Sequence, residues 1–131
     1  MVKATLTKEI HIETQDTIGT AAKVSQLVSN QAKTNIRAVW AAGENGHGHF
    51  SLITDSNQKA LEALKKDFPK SQEHEVLVFG ASNQLGEIAD ITKQLSDANL
   101  NINYLYTTSL DNKPALVLST NDNKKALSLF A

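Results

Sequence analysis

Apolar and polar residues alternate along the N-terminal segment, from Val2 to Ile12. The even positions carry valine, alanine, leucine, lysine and two isoleucines, while the odd positions carry lysine, threonine, glutamate and histidine. Alternation of this kind, with β-branched residues, is typical of a strand that has one face in water. The chain therefore begins with a predicted amphipathic strand.

After this strand the apolar residues adopt helical spacing. Asp16 or Thr17 supplies a side-chain oxygen that caps the start of a helix. The apolar residues that follow fall on one stripe of that helix, which we expect to face the core. They are Ile18, Ala21, Ala22, Val24, Leu27 and Val28.

A hairpin is predicted after the first helix. Residues 36–42 and 50–54 are rich in apolar residues and read as two strands, and the run Gly43-Glu-Asn-Gly-His-Gly48 separates them. Glycines at such a position favour a tight reversal of the chain. We expect a turn over residues 43–48.

A second helix and a buried strand follow the hairpin. Asp55 or Ser56 caps the start of the helix. Phe68 is the last of the apolar residues expected to face the core, and Pro69 ends the helix. Residues 74–81 contain the continuous apolar run Val-Leu-Val-Phe, which is typical of a strand covered on both faces.

The same order of elements recurs in the second half, which indicates a duplicated module. Asp16-Thr-Ile-Gly19 matches Asn83-Gln-Leu-Gly86, and the two glycines are 86 − 19 = 67 residues apart. Asn35-Ile36 likewise matches Asn101-Ile102. A repeat of this length, with helix and strand signals inside it, is longer than a solenoid unit.

The second copy predicts a helix over residues 85–98, strands over residues 102–108 and 115–120, and a short helix from Asp122. The order β-α-β-β-α-β, with the strand at residues 74–81 shared by both copies, predicts an α+β protein. We expect ferredoxin-like units in tandem, each an antiparallel sheet with helices packed on one face.

We place the first unit at residues 1–73 and the second at residues 74–131. The second unit lacks a final strand, so either its sheet edge is covered differently or the chain is trimmed; the sequence leaves both alternatives open.

Composition narrows the function classes. The 131 residues contain 13 basic and 14 acidic side chains, a net charge of −1, and no basic stripe that would favour nucleic acid. There is no cysteine, which excludes disulfides and thiolate chemistry. The N-terminus is too polar for a signal peptide, and no run of about 18 apolar residues predicts a membrane span. We expect a cytoplasmic protein that binds neither nucleic acid nor membrane.

The repeated motifs resemble those of the ACT domain, a ferredoxin-like module that senses amino acids. The resemblance extends from about Leu6 to about Leu129 and is closest to short proteins made of two ACT units. One departure is that Ile18 and Leu85 occupy the place of the signature proline. The resemblance implies an amino-acid-binding regulatory protein that holds its ligand at the strand–helix turn and the interface between units. It also implies that the protein is no enzyme and has no cofactor, and that a second copy of the chain and a metabolic enzyme are its partners.

The physical chemistry of the two strand–helix turns agrees with such a ligand. Glycine lets a ligand approach the backbone, and the first N–H groups of a helix attract a carboxylate. An acid or amide at the turn accepts from the ligand ammonium, and the asparagines offer a donor and an acceptor. The expected ligand-binding residues are Asp16, Thr17, Ile18, Gly19, Asn35, Ile36, Asn83, Gln84, Leu85, Gly86, Asn101 and Ile102.

Two other interpretations of the same residues stay open. Asp16 and Asn83 are also ordinary helix caps, so the chain could be a ligand-free structural or interaction module that serves as a regulatory subunit. His47 and His49, two residues apart, suggest a metal site, but no cysteine joins them and we expect no metal. No catalytic triad, dinucleotide turn or carboxylate pair indicates an enzyme.

Overall fold

Strands and helices follow one another in the order that the sequence predicts. The computed structural model describes residues 3–15, 17–81 and 86–130. The strands are β1 Ala4–Gln15, β2 Ile36–Glu44, β3 His47–Thr54, β4 Gln72–Gly80, β5 Ile102–Leu110 and β6 Lys113–Thr120. The helices are α1 Thr20–Gln26, which continues as a π-helical turn over Leu27–Gln31, then α2 Asn57–Leu64, α3 Glu87–Asp97 and α4 Asn123–Leu129.

The chain forms two compact units. Lys8–His74 makes one of them, and Met1–Thr7 joins Glu75–Ala131 in the other. We call them the first-copy unit and the second-copy unit. Each has antiparallel strands and two helices, so the predicted α+β, ferredoxin-like fold is confirmed.

In the first-copy unit the strands lie in the order β2–β3–β1. Ile10 lies opposite Leu52, and Ile12 lies opposite Phe50. Because cross-strand partners point to the same face, these four side chains form one apolar surface. The helices cover that surface, and the buried core residues are Ile10, Ile12, Val24, Val28, Phe50, Leu52, Ala60, Leu64 and Phe68.

The second-copy unit repeats this register with the strand order β4–β6–β5. Leu77 lies opposite Leu118, as Ile10 lies opposite Leu52 in the other copy. The offsets, 77 − 10 = 67 and 118 − 52 = 66, equal those of the sequence motifs. The duplication therefore extends to strand pairing. The core residues are Ala4, Leu77, Phe79, Ile91, Leu95, Leu100, Leu116, Leu118, Ala126 and Phe130.

The first residues of β1 belong to the second-copy unit. The N–H of Ala4 donates to the carbonyl of Phe130 at 3.2 Å, and the Ala4 side chain is buried in that unit's core. Residues 4–7 thus belong to the unit whose other residues are 75–131.

In each unit one asparagine side chain connects two strands by the same set of hydrogen bonds. The Oδ1 of Asn123 accepts from the backbone N–H and the hydroxyl of Thr120, at 2.8 and 2.9 Å, and its Nδ2 donates to the carbonyl of Glu75 at 2.7 Å. Asn57 makes the equivalent bonds to Thr54 and Lys8. One carboxamide thus fixes the end of a strand, the start of a helix and the unit's first strand.

Both hairpins reverse over two residues with positive φ. Asn45 and Gly46 have φ of 52° and 78°, and Asp111 and Asn112 have φ of 53° and 62°. Two consecutive positive φ angles give the twist that matches paired strands, and asparagine, aspartate and glycine tolerate them best. The predicted turn over residues 43–48 is therefore too long, because Gly43 and Gly48 lie within strands.

Part of the predicted helical stripe is also wrong. Ile18 precedes α1 and is fully exposed, and Ala21 and Ala22 are exposed as well. The helix begins only at Thr20, so its inward face is built by Val24 and Val28. Apolar spacing alone predicted the stripe and could not locate the bend that excludes Ile18 from it.

We predict that Asn123→Ala lowers the free energy of unfolding by about 2–4 kcal/mol, since three hydrogen bonds of roughly 1 kcal/mol each are lost. Urea denaturation followed by circular dichroism measures this change. Lys124→Ala, at an exposed position next to it, is the matched control and should change stability by less than about 0.5 kcal/mol. Equal losses in the two variants would contradict the role given to Asn123.

Candidate ligand-binding site at the strand–helix bends

A glycine in left-handed conformation begins α1. Gly19 has φ of 91° and ψ of −5°, and its carbonyl accepts from the N–H of Lys23 at 2.9 Å. Side chains with a Cβ adopt this conformation at a cost, whereas glycine does not. A Cβ built at Gly19 would meet nothing within 4 Å, so the backbone there is open to approach.

Gly86 repeats this geometry at the start of α3. Its φ is 84° and its ψ is −1°, and its carbonyl accepts from the N–H of Asp90 at 2.9 Å. Among the described residues, no side chain forms a cap hydrogen bond at either helix start. Helix N–H groups without such caps are the groups that bind anions.

Exposed residues precede Gly19. The hydroxyls of Thr17 and Thr20 lie 2.8 Å apart, and the Thr20 hydroxyl donates to the Thr17 carbonyl at 3.0 Å. These bonds fix the bend locally, while the Ile18 side chain extends into solvent. The remaining predicted bend residues, Asp16, Asn83, Gln84 and Leu85, lie outside the described residues.

The two predicted asparagines use their main chains structurally. The carbonyl of Asn35 accepts from the N–H of Asp55 at 3.0 Å, and that of Asn101 accepts from the N–H of Asn121 at 3.1 Å. Both residues are exposed. These bonds connect them to the strand–helix junctions after β3 and β6 rather than to the glycine bends.

The isoleucines that follow these asparagines contribute to the cores. Ile36 packs against the core of the first-copy unit and Ile102 against that of the second-copy unit. Both are partly buried. Their packing sets the position at which β2 and β5 begin.

The electrostatic surroundings of the two bends differ. The first turn of α1 has no acidic residue, whereas the first turn of α3 contains Glu87 and Asp90. Carboxylates near a helix N-terminus interact favourably with the helix dipole, so they also repel a further anion there. The first helical turn after Gly19 therefore repels an anion less than the first helical turn after Gly86 does.

The π-helical turn after α1 was not predicted. It lines an open depression of about 420 Å³ together with α1. Lys23, at its rim, lies 3.4 Å from the carboxylate of Asp67, and its Nζ is 6.0 Å from the ring centre of Phe68. A π turn adds one residue to a helical turn and leaves no mark in apolar spacing. The lining residues are Lys23, Gln26, Leu27, Asn30 and Gln31.

The other candidate chemistry is limited. His47 Nδ1 lies 3.9 Å from Glu13 Oε1, and both side chains are largely exposed. Within the described ranges, no three histidine, cysteine or acidic side chains are arranged to hold a metal ion. In the same part of the chain, no helix has the length and apolarity needed to cross a membrane.

Comparison with known proteins identifies the family. The sequence model described as "ACT domain pair" matches residues 5–130, nearly the whole chain. This chain belongs to the ACT domain pair family. The resemblance predicted from the two repeated motifs is confirmed, although the bends lack the signature proline.

Solved structures share the fold of this ACT domain pair. A protein from Bacteroides thetaiotaomicron has a TM-score of 0.83 at 22% identity, over 96% of this chain and 87% of that one. Aspartokinase alpha and beta subunits give 0.62 at 18% identity, over 97% and 93%. The ligand-free regulatory subunit of aspartate kinase from Thermus thermophilus gives 0.62 at 17% identity, over 95% and 92%. No curated protein matches the chain significantly.

We predict that Gly19→Ala lowers the free energy of unfolding by roughly 1–2 kcal/mol, because alanine is strained at φ of 91° although it has room. Gly80→Ala is the matched control, since a Cβ at Gly80 also meets nothing within 4 Å and no positive φ occurs there. Chemical denaturation of both variants measures the difference. Equal stability of the two would show that the left-handed backbone at residue 19 carries no cost.

Proposed function

We propose that this ACT domain pair is a regulatory protein that reversibly binds a small amino acid at its glycine bends. The first site consists of Asp16, Thr17, Ile18, Gly19, Asn35 and Ile36. The second consists of Asn83, Gln84, Leu85, Gly86, Asn101 and Ile102. Family membership supports the ligand class, and the geometry of the bends supports the binding mode.

The observation that carries the proposal is the pair of left-handed glycines, each beginning a helix without a side-chain cap among the described residues. The N–H of Thr20 donates to the Thr17 carbonyl at 3.3 Å, so the next N–H groups of the first turn of α1, together with those after Gly86, would donate to the ligand carboxylate. Asp16 would pair with the ammonium, while Asn83 could only accept a hydrogen bond from it. Exposed Asn35 and its counterpart would contribute amide contacts.

Charge favours unequal sites. The bend at Gly19 has Lys23 one turn later and no acid in its first helical turn, whereas Glu87 and Asp90 surround the start of α3. A carboxylate ligand is repelled by these two acids, while Lys23 shares its charge with Asp67, 3.4 Å away. We therefore infer one site of high affinity in each chain, at the first copy.

We also propose that two copies of the chain associate through β2. This strand is the edge of the first-copy sheet, and residues 39–43 are uncharged and exposed. Val39 is 55% exposed and Trp40 is 37% exposed. Edge strands that avoid pairing usually carry charges or proline at such positions. The edge strand β5 exposes more polar side chains, among them Asn103 and Ser109.

A metabolic enzyme is the proposed regulated partner. One similar structure is that of aspartokinase alpha and beta subunits and another is a regulatory subunit of aspartate kinase, which supports an enzyme target of this kind. Regulation requires that the amino acid bind one state of the complex more tightly than the other. The competing function is a ligand-free interaction module that contacts the enzyme without sensing an amino acid.

We predict that one amino acid among the common twenty raises the melting temperature of the protein. At a hundredfold excess over its dissociation constant it should stabilise the fold by about 2.7 kcal/mol. Calorimetric titration should then give one tight site per chain. No stabilisation by any amino acid would favour the interaction module and contradict the sensor.

Two glycine variants locate the site. Gly19→Ala should weaken binding by about tenfold or more, since it changes the backbone that holds the carboxylate. Gly86→Ala carries similar backbone strain in the second copy and serves as the matched control, with affinity close to that of the natural protein. Equal loss in both variants would argue for equivalent sites, and no loss in either would remove the bends from the binding site.

Dimer formation is predicted to depend on β2. Val39→Lys should shift the protein toward monomer in sedimentation velocity, because it places a charge on the pairing edge. Leu105→Lys alters the equivalent position of β5, 39 + 66 = 105, and should leave the dimer intact. A monomeric natural protein, or equal effects of the two lysines, would contradict pairing through β2.

A further inference from the structure

All four histidines lie on one face of the first-copy sheet, the face opposite the helices. Ile10 and Ile12 point to the helices, so the residues between and beside them point away. On this face His11 lies opposite Ser51, and Glu13 lies opposite His49. Glu44, in β2, lies opposite His47. The titratable groups on this face are Glu9, His11, Glu13, Glu44, His47, His49 and His74.

A buried carboxylate lies at the centre of this face. Glu9 has 0% exposure and is the single charged residue in the buried class among the residues that the structure describes. Its Oε1 is 3.1 Å from Nε2 of His11, which donates to it. A carboxylate removed from water needs a hydrogen-bonded or charged partner, and His11 provides one.

The imidazole of His74 stacks on that of His11. The rings of His11 and His74 are stacked, with centres 4.4 Å apart and planes inclined by 21°. Glu9 can compensate one positive charge in this stack, whereas two protonated rings at this distance repel each other. Burial lowers the pKa of His74, the charge of His11 lowers it further, and the Glu9 carboxylate opposes both.

The other copy shows that the fold does not require this cluster. With the offset of 67, the counterparts of Glu9 and His11 are Val76 and Val78. With the offset of 66, the counterpart of Ser51 is Val117, which lies opposite Val78 just as Ser51 lies opposite His11. Valines therefore fill the same places in an otherwise repeated sheet. The titratable groups serve something other than strand pairing.

We propose that Glu9, His11 and His74 form a proton-responsive contact that is closed at neutral pH and separates when both imidazoles are protonated. In the closed form the His74 ring stacks on the His11 ring, and the Glu9 carboxylate accepts a hydrogen bond from His11. In the open form the two positive rings move apart and His74, in β4, leaves its place on the first-copy sheet.

The direction of the pH effect follows from the lowered pKa of His74. The unfolded chain takes up this proton at a higher pH than the folded chain does, so unfolding is favoured as pH falls. Stability from this contact is complete above the ordinary histidine pKa of about 6.5 and is lost as pH falls through the lower folded value. The Glu13 and His47 side chains, with Oε1 and Nδ1 3.9 Å apart, lie on the same face as the stack.

The test compares natural protein with His74→Phe, which keeps an aromatic ring on His11 but cannot take a proton. Melting temperatures are measured at about pH 7.5 and about pH 5, on either side of the ordinary histidine pKa. Between the higher and the lower pH, the melting temperature of the natural protein should fall by more than that of His74→Phe. His47→Asn removes an exposed histidine of the same face and should behave like the natural protein.

A second measurement, made on the natural protein alone, tests the proposal even if His74→Phe does not fold. Nuclear Overhauser contacts between the ring protons of His11 and His74 should be present at about pH 7.5 and lost at about pH 5. Persistence of these contacts at the lower pH overturns the proposal. An equal pH dependence of melting in natural protein and folded His74→Phe overturns it as well.

Discussion

Each copy of the module must turn from a strand into a helix that packs back on the same sheet, within a few residues. Left-handed backbone at Gly19 and Gly86 makes this reversal, and the two φ values of 91° and 84° show how closely the copies agree. The helix direction that results puts Val24 and Val28 against the sheet in one unit. It also sets where the first turn of each helix begins, next to the proposed site. The core and the proposed site thus depend on one backbone conformation.

Local patterns were sufficient to predict the order of elements. Alternation along β1, the Asn-Gly and Asp-Asn turns and the caps at Ser56 and Asp122 are all determined by neighbours within a few residues. Ser56, one of the two caps predicted for α2, accepts from the third N–H that follows it, and Asp122, from which a helix was predicted, does the same. The cap predicted for α1 at Asp16 or Thr17 is wrong, because Gly19 is the residue at that helix start. The repeat then indicated the fold. Each motif alone is weak, but the two copies occur at the same place in the same order of strands and helices, so each supports the other.

Features that depend on distant residues could not be predicted in this way. His11 and His74 are 74 − 11 = 63 positions apart, and only the sheet brings their rings to 4.4 Å. Glu9 occupies a polar position of an alternating strand, which predicted exposure, yet it is fully buried. Of the proposed site, the glycines were predictable because positive φ favours glycine, whereas the main-chain bonds of Asn35 and Asn101 were not.

The contribution of β1 to the second-copy unit has a consequence for synthesis. The bond from Ala4 to Phe130 spans 130 − 4 = 126 positions, so Ala4 leaves the ribosome well before Phe130 does. Residues 4–7 must wait for the rest of their unit while residues 8–74 can already assemble around their own core. Closing so long a loop is slow, which makes the second-copy unit the later one to mature. A nascent chain would therefore carry a folded first-copy unit while residues 4–7 still lack their partners in the second-copy unit.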